Sequence, residues 1–62
     1  MLSRNQLKRL IPVIKSYGWE VGFDYTGRYL EVKRPDGYPA HTIRTLRDVE
    51  LYLGRRGLAL VK

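Results

Sequence analysis

Seven consecutive residues, Trp19-Glu20-Val21-Gly22-Phe23-Asp24-Tyr25, alternate between apolar side chains and polar side chains or glycine. Successive side chains of an extended chain point to opposite sides, so this pattern predicts a half-buried strand. Trp19, Val21, Phe23 and Tyr25 share the predicted inner face, and Glu20, Gly22 and Asp24 the outer one. Thr26-Gly27 follows as a short hairpin turn, with glycine supplying positive φ. Arg28 to Arg34 reads as a second strand, with Leu30 and Val32 inward and Tyr29, Glu31 and Lys33 outward. Pro35-Asp36-Gly37 is a further turn. Tyr38 to Ile43 fits a third strand. Pro39 has no amide to give a ladder, so that strand belongs at an edge or starts at the proline.

A meander of this kind has one apolar face to cover, and the flanking sequence supplies two helices to cover it. Ser3-Arg4-Asn5-Gln6 is a capping box, and Leu2 and Leu7 have hydrophobic-staple spacing around it. Leu7, Leu10, Ile11, Ile14 and Tyr17 then recur on one helical face. Pro12 lies inside this pattern and predicts a kink near Lys8-Arg9, or a break into two short turns. Gly18 is the predicted stop. A second helix starts with Thr45 as cap and Asp48 in the first turn, where the helix dipole favours an acid. Leu46, Val49, Tyr52 and Leu53 form its apolar stripe. Gly54 or Gly57 can end it, with Gly57 preferred and Leu58 to Val61 laid as a short apolar tail on the core. The expected fold is α+β, of order α-β-β-β-α: one domain over residues 1–62, with both helices on one face of a three-stranded antiparallel sheet.

With 62 residues and no cysteine, the domain must hold together by apolar burial, without disulfides or thiolate sites. No apolar run approaches the roughly 20 residues of a membrane span. The opening MLSRNQLKRL lacks the apolar core and cleavage site of a signal peptide, so a cytoplasmic protein is expected. Twelve Lys and Arg against six Asp and Glu leave a net charge of +6. An imbalance of that size in so small a chain favours an acidic partner, whether nucleic acid, anionic lipid or an acidic protein surface; with no apolar span, nucleic acid or an acidic protein is expected, and no membrane.

The stretches LKRLIPVIKSYGWEV, KRPDG and TLRDVELYLGRRGL together resemble the HicA-type mRNA interferase toxins, whose fold is like that of the double-stranded-RNA-binding domain. The resemblance spans nearly the whole chain and implies an RNA-binding architecture and, in a toxin–antitoxin setting, a protein partner. It carries no catalytic residue across. Arg28 and Tyr29 stand where the family has the serine and histidine of its Gly-Ser-His stretch, so its nuclease chemistry is expected to be absent or rebuilt.

The residues themselves give no catalytic constellation. His41 is the single histidine and only a weak catalytic candidate; Glu31 or Asp24 could assist it only if the fold brought them close. With no cysteine and no second histidine, neither a zinc site nor any cofactor is expected. The acids read as solvated, and the glycines form no phosphate-binding fingerprint. Basic residues are the better candidates. Lys8 and Lys15 lie with Arg4 on one side of the first helix. Arg28, Tyr29, Lys33 and Arg34 lie on the second strand, and Arg44 and Arg47 flank the second helix. Arginine forks suit phosphate, and an exposed Tyr29 could stack on an unpaired base. The expected function is therefore non-enzymatic nucleic-acid binding, DNA or RNA, through the β-hairpin and a helix. The alternatives are a phage-type or toxin–antitoxin-type module that binds an acidic protein, with an apolar patch at Tyr38, Leu58 and Leu60, and a HicA-like ribonuclease using His41. A free edge strand could also pair two copies.

Overall fold

The computed structural model describes residues 1–37 and 39–61. Its elements are α1 (Arg4–Ser16), β1 (Glu20–Phe23), β2 (Leu30–Lys33), β3 (His41–Ile43) and α2 (Leu46–Val61), in the α-β-β-β-α order of an α+β domain. The strands form one open antiparallel sheet in the order β1-β2-β3. Val21 pairs with Val32 and Phe23 with Leu30. Leu30 in turn pairs with Ile43, and Val32 with His41. Directly paired residues lie on the same side of a sheet, so this register puts every apolar strand residue on one face. Both helices cover that face: Leu7, Leu10 and Ile14 of α1 and Val49, Leu53 and Val61 of α2 are buried with Leu30, Val32 and Ile43. Each fully buried aliphatic side chain contributes about 1.5–3 kcal/mol.

The helix starts follow their sequence signals. Ser3 Oγ accepts from the Gln6 amide at 3.2 Å, and Gln6 Oε1 accepts from the Ser3 amide at 2.8 Å. Gln6 also donates through Nε2 to the Val61 carbonyl at 2.7 Å, which ties the start of α1 to the end of α2. Thr45 Oγ1 accepts from the Asp48 amide at 3.3 Å, and Asp48 Oδ2 accepts from the Thr45 and Arg44 amides at 3.1 and 3.0 Å.

Several expectations need correction. The break offered as one outcome at Pro12 does not occur: helix α1 runs from Arg4 to Ser16 through it, with Pro12 and Lys8 both on the solvent side, where water can serve the carbonyl that the missing amide leaves unpaired. The third strand begins at His41, after Pro39, and lies at a sheet edge; Tyr38 lies outside the described residues. Leu46 is 48% exposed, because it is the first residue of α2 and sits outside its buried stripe. The largest change is at the C-terminus. Gly54, not Gly57, breaks α2, with φ 68° and ψ −163°, a conformation open essentially to glycine alone. The chain then resumes as helix through Leu58–Val61, which were expected to form a non-helical tail. Gly57 is buried in the resumed helix for a packing reason. A Cβ there would stand 2.6 Å from Leu53 Cβ and 3.0 Å from Val49 Cγ1.

Candidate nucleic-acid interface

The β1–β2 connection is built around one carboxylate. The Asp24 amide donates to the Tyr29 carbonyl at 3.0 Å, and the Gly27 amide donates to the Asp24 carbonyl at 3.0 Å. Asp24 Oδ2 accepts from the Thr26 amide at 3.1 Å and from the Thr26 hydroxyl. Its Oδ1 accepts from the Arg28 and Tyr29 amides at 3.1 and 3.4 Å. Burial alone would raise the Asp24 carboxyl, but these hydrogen bonds outweigh it and hold the group below its ordinary value. Asp24 is therefore a buried turn organiser, 5% exposed, and not the solvated acid expected. The connection is also longer than a Thr26-Gly27 turn, because it takes six residues, Asp24 to Tyr29, out of the strands. Tyr25 thereby leaves the inner face and is 98% exposed.

Antiparallel topology brings this turn to the same end of the molecule as both helix starts. Arg4, at the start of α1, lies 5.1 Å from the Phe23 ring centroid, and a Cβ on Gly27 would be 3.9 Å from its Nη1. The Leu2 amide donates to the Arg44 carbonyl at 2.9 Å, which joins the α1 start to the α2 start. The Arg44 guanidinium lies 4.7 Å from the Tyr29 ring centroid. Arg28 is exposed in the turn and Arg47 on the first turn of α2. Arg4, Arg28, Arg44 and Arg47 thus gather at one pole, with Lys8 one helical turn from Arg4. Asp24 and Asp48 at this pole are both engaged with backbone amides, and Glu50 stands exposed on α2 three residues from Arg47. Burial pushes Asp48 up, but amides, the Thr45 hydroxyl and the Arg44 charge together hold it below its ordinary value.

The placement runs against helix stability. The N-terminus of a helix carries partial positive charge, so cations there are unfavourable by about 0.3–1 kcal/mol each. Helix α1 has Arg4 in its first turn and no acid to offset it. Lys15, in contrast, sits in the last turn of α1, where a cation stabilises the helix.

The other predicted site residues are dispersed. Tyr29 is half-buried with Arg44 over its ring, so it is not the exposed stacking platform expected. Lys33 points to the open face of the sheet, paired in register with Glu20 and one face position from Glu31, because period-two alternation separates it from its neighbours. That open face is mixed in charge, with a shallow hollow of about 260 Å³ beside Gly22. Arg34 alternates to the helix face, stacks 4.8 Å from the Trp19 ring centroid and bonds Asp36 at 2.8 Å. The basic ribbon read from the sequence is therefore split over both faces and both ends of the hairpin.

At the opposite pole, His41 stacks on Tyr52 with centroids 4.0 Å apart and meets Trp19 edge-on at 6.4 Å. Tyr17 tilts against Trp19 at 5.1 Å. His41 Nε2 is buried and has no hydrogen-bond partner among the described residues. Neither proposed assistant reaches it. Glu31 lies on the other face of the sheet, and Asp24 is occupied in the turn at the other end. Among the described residues, no group of three potential metal ligands comes together, and no helix is long and apolar enough to cross a membrane.

No family model, curated protein or solved structure matches this chain.

The signal that could have located the pole was available in the sequence. Arg4, Arg44 and Arg47 each flank or enter a helix start, a place that electrostatics reserves for acids. Read residue by residue, they were only three more cations.

Proposed function

We propose that this domain binds nucleic acid without cleaving it, through phosphate contacts from Arg4, Arg28, Arg44 and Arg47, extended along α1 by Lys8. The observation that carries this reading is the collection of four arginines at the end where both helices begin, although the dipoles there disfavour cations. As the first residue of α1, Arg4 gains nothing from the helix dipole, and its contact with the fold is the stacking on Phe23; a phosphate backbone laid on this end would meet guanidinium groups from α1, the turn and the start of α2. Departures of this kind from local preference concentrate at functional sites. The non-enzymatic half of the proposal is supported by His41, which stacks on Tyr52, meets Trp19 edge-on and has a buried Nε2 with no hydrogen-bond partner among the described residues. The resemblance to HicA-type toxins agrees in element order and in the class of ligand it implies, which is support by architectural analogy.

The test is binding to labelled DNA and RNA, duplex and single-stranded, between about 50 and 200 mM salt, where phosphate-driven affinity falls steeply. Replacing Arg4, Arg28 and Arg47 together by Ala is expected to weaken binding and to lower the salt slope by roughly one for each lost phosphate contact. Lys33→Ala on the open face is the control and should change little. Equal affinity in the wild type and the triple variant would exclude the pole as the interface.

A second reading has its own observation. Leu51, 72% exposed, and Leu46, 48% exposed, lie on α2 beside Arg47. An acidic protein surface with an apolar centre would fit this combination. The apolar patch expected for such a module lay elsewhere: Leu58 packs on the core, Leu60 is 37% exposed, and Tyr38 lies outside the described residues.

A further inference from the structure

Tyr25 is a large aromatic side chain, 98% exposed, at the tip of the turn that Asp24 holds. Nothing in the fold accounts for it. The turn needs Asp24 for its amides, Thr26 for the bonds to that carboxylate and Gly27 for its positive φ of 72°. It makes no demand for an aromatic ring at the second position. The other rings are occupied. Arg4 lies over Phe23, Arg34 over Trp19 and Arg44 over Tyr29, while His41 and Tyr52 cover one another. Of the aromatic side chains among the described residues, Tyr25 alone is fully presented to solvent. Its backbone is nonetheless fixed by a turn in which one carboxylate accepts three backbone amides. The backbone that carries the ring is therefore ordered before binding, which confines the ordering cost to the torsions of one side chain. Arg28 stands three residues on, and the Arg4 guanidinium lies beside Gly27 in the same turn.

We infer that Tyr25 is a base-stacking residue, and that the ligand of the arginine pole is a strand with unpaired bases. Every base has a π-face, so an exposed ring on a turn that also carries Arg28 and adjoins the Arg4 guanidinium can recognise an unpaired nucleotide through stacking on the base and charge on its flanking phosphates. A regular duplex buries its base faces and would leave Tyr25 without a partner. This inference rests on the nucleic-acid reading above. DNA and RNA strands share the chemistry, and the experiment separates them.

The experiment is fluorescence anisotropy with labelled single-stranded DNA, single-stranded RNA and blunt duplexes of each, using the full chain as wild type, Tyr25→Ala and Tyr25→Phe. The near-complete exposure of the ring means that both variants should melt with the wild type. Loss of one stacked base is expected to weaken single-strand binding roughly 5- to 150-fold in Tyr25→Ala. Tyr25→Phe should keep most of the affinity, and duplex binding should be unchanged by either. Wild-type affinity of Tyr25→Ala for single strands, or an equal loss on duplexes, would overturn the stacking role and leave the arginine pole standing. Salt-dependent binding to duplexes alone would do the same. If the wild type binds none of the four ligands, both the pole and the stacking role fall.

Discussion

The two poles of this domain use the same kinds of side chain to opposite ends. At the Trp19 pole, aromatic rings pack on one another: Tyr17 on Trp19, Trp19 against His41, His41 on Tyr52, with Arg34 closing the outer side. Arg34 there is paired with a carboxylate, Asp36, as well as stacked on a ring. At the turn pole the balance reverses. Four arginines meet two aromatic rings, Asp24 and Asp48 are spent on backbone amides, and the tyrosine at the tip covers nothing. The core reaches both ends, but one end is covered by ring-on-ring contacts and the other by guanidinium groups.

The largest expected effect sharpens that division from the aromatic side. Trp19→Ala removes the ring that links Tyr17, His41 and Arg34. It should cost about 3 kcal/mol, the lower part of the range for large aromatic truncations because Trp19 is only half-buried. Thermal denaturation should show a melting point lower by roughly 12 °C or more. Nucleic-acid affinity, measured well below that melting point, should not move. A stable variant that has lost binding would break the comparison and relocate the site to the aromatic pole.

A smaller effect probes the turn pole. Thr45→Ala leaves the Asp48 amide without its cap and should cost about 1 kcal/mol of stability in denaturant unfolding. Arg44 and Arg47 flank this cap, so some loss of affinity should accompany the loss of stability. Stability lost with affinity fully retained would show that the α2 start is not part of the interface.

The smallest effect is local. Asp24 and Asp48 titrate in the folded state below their ordinary value of 3.8. Between that value and the folded one, the unfolded chain holds more protons than the folded chain. Their contribution is thus complete above pH 3.8 and is lost as pH falls through the folded values. Both carboxylates sit at the turn pole. Hydrogen exchange followed down through this range should open the Arg28, Arg44 and Thr45 amides before those of β1 and β2 at the Trp19 end. Simultaneous opening of both ends would mean that the poles are one cooperative unit.

Sequence alone determined the order of the elements and the face each strand buries. Those rest on local signals: alternation from Trp19 to Phe23, the capping box at Ser3, and Thr45 with Asp48. It also determined the excess of positive charge. It could not determine where that charge would gather. Arg28, Tyr29, Lys33 and Arg34 are neighbours along the chain, yet strand alternation and register send them to different faces and ends. Arg4, Arg28 and Arg47 are far apart along the chain, and antiparallel topology unites them. Tyr25 continues the apolar alternation by period, but Asp24 gathers the turn amides first and the strand stops short of it. The choice between Gly54 and Gly57 as the break in α2 was equally closed to local reading. Either glycine permits a break, and only the close approach of Val49 and Leu53 requires Gly57 within the helix. Local chemistry determines which elements form; the tertiary packing decides which side chains they leave free to act.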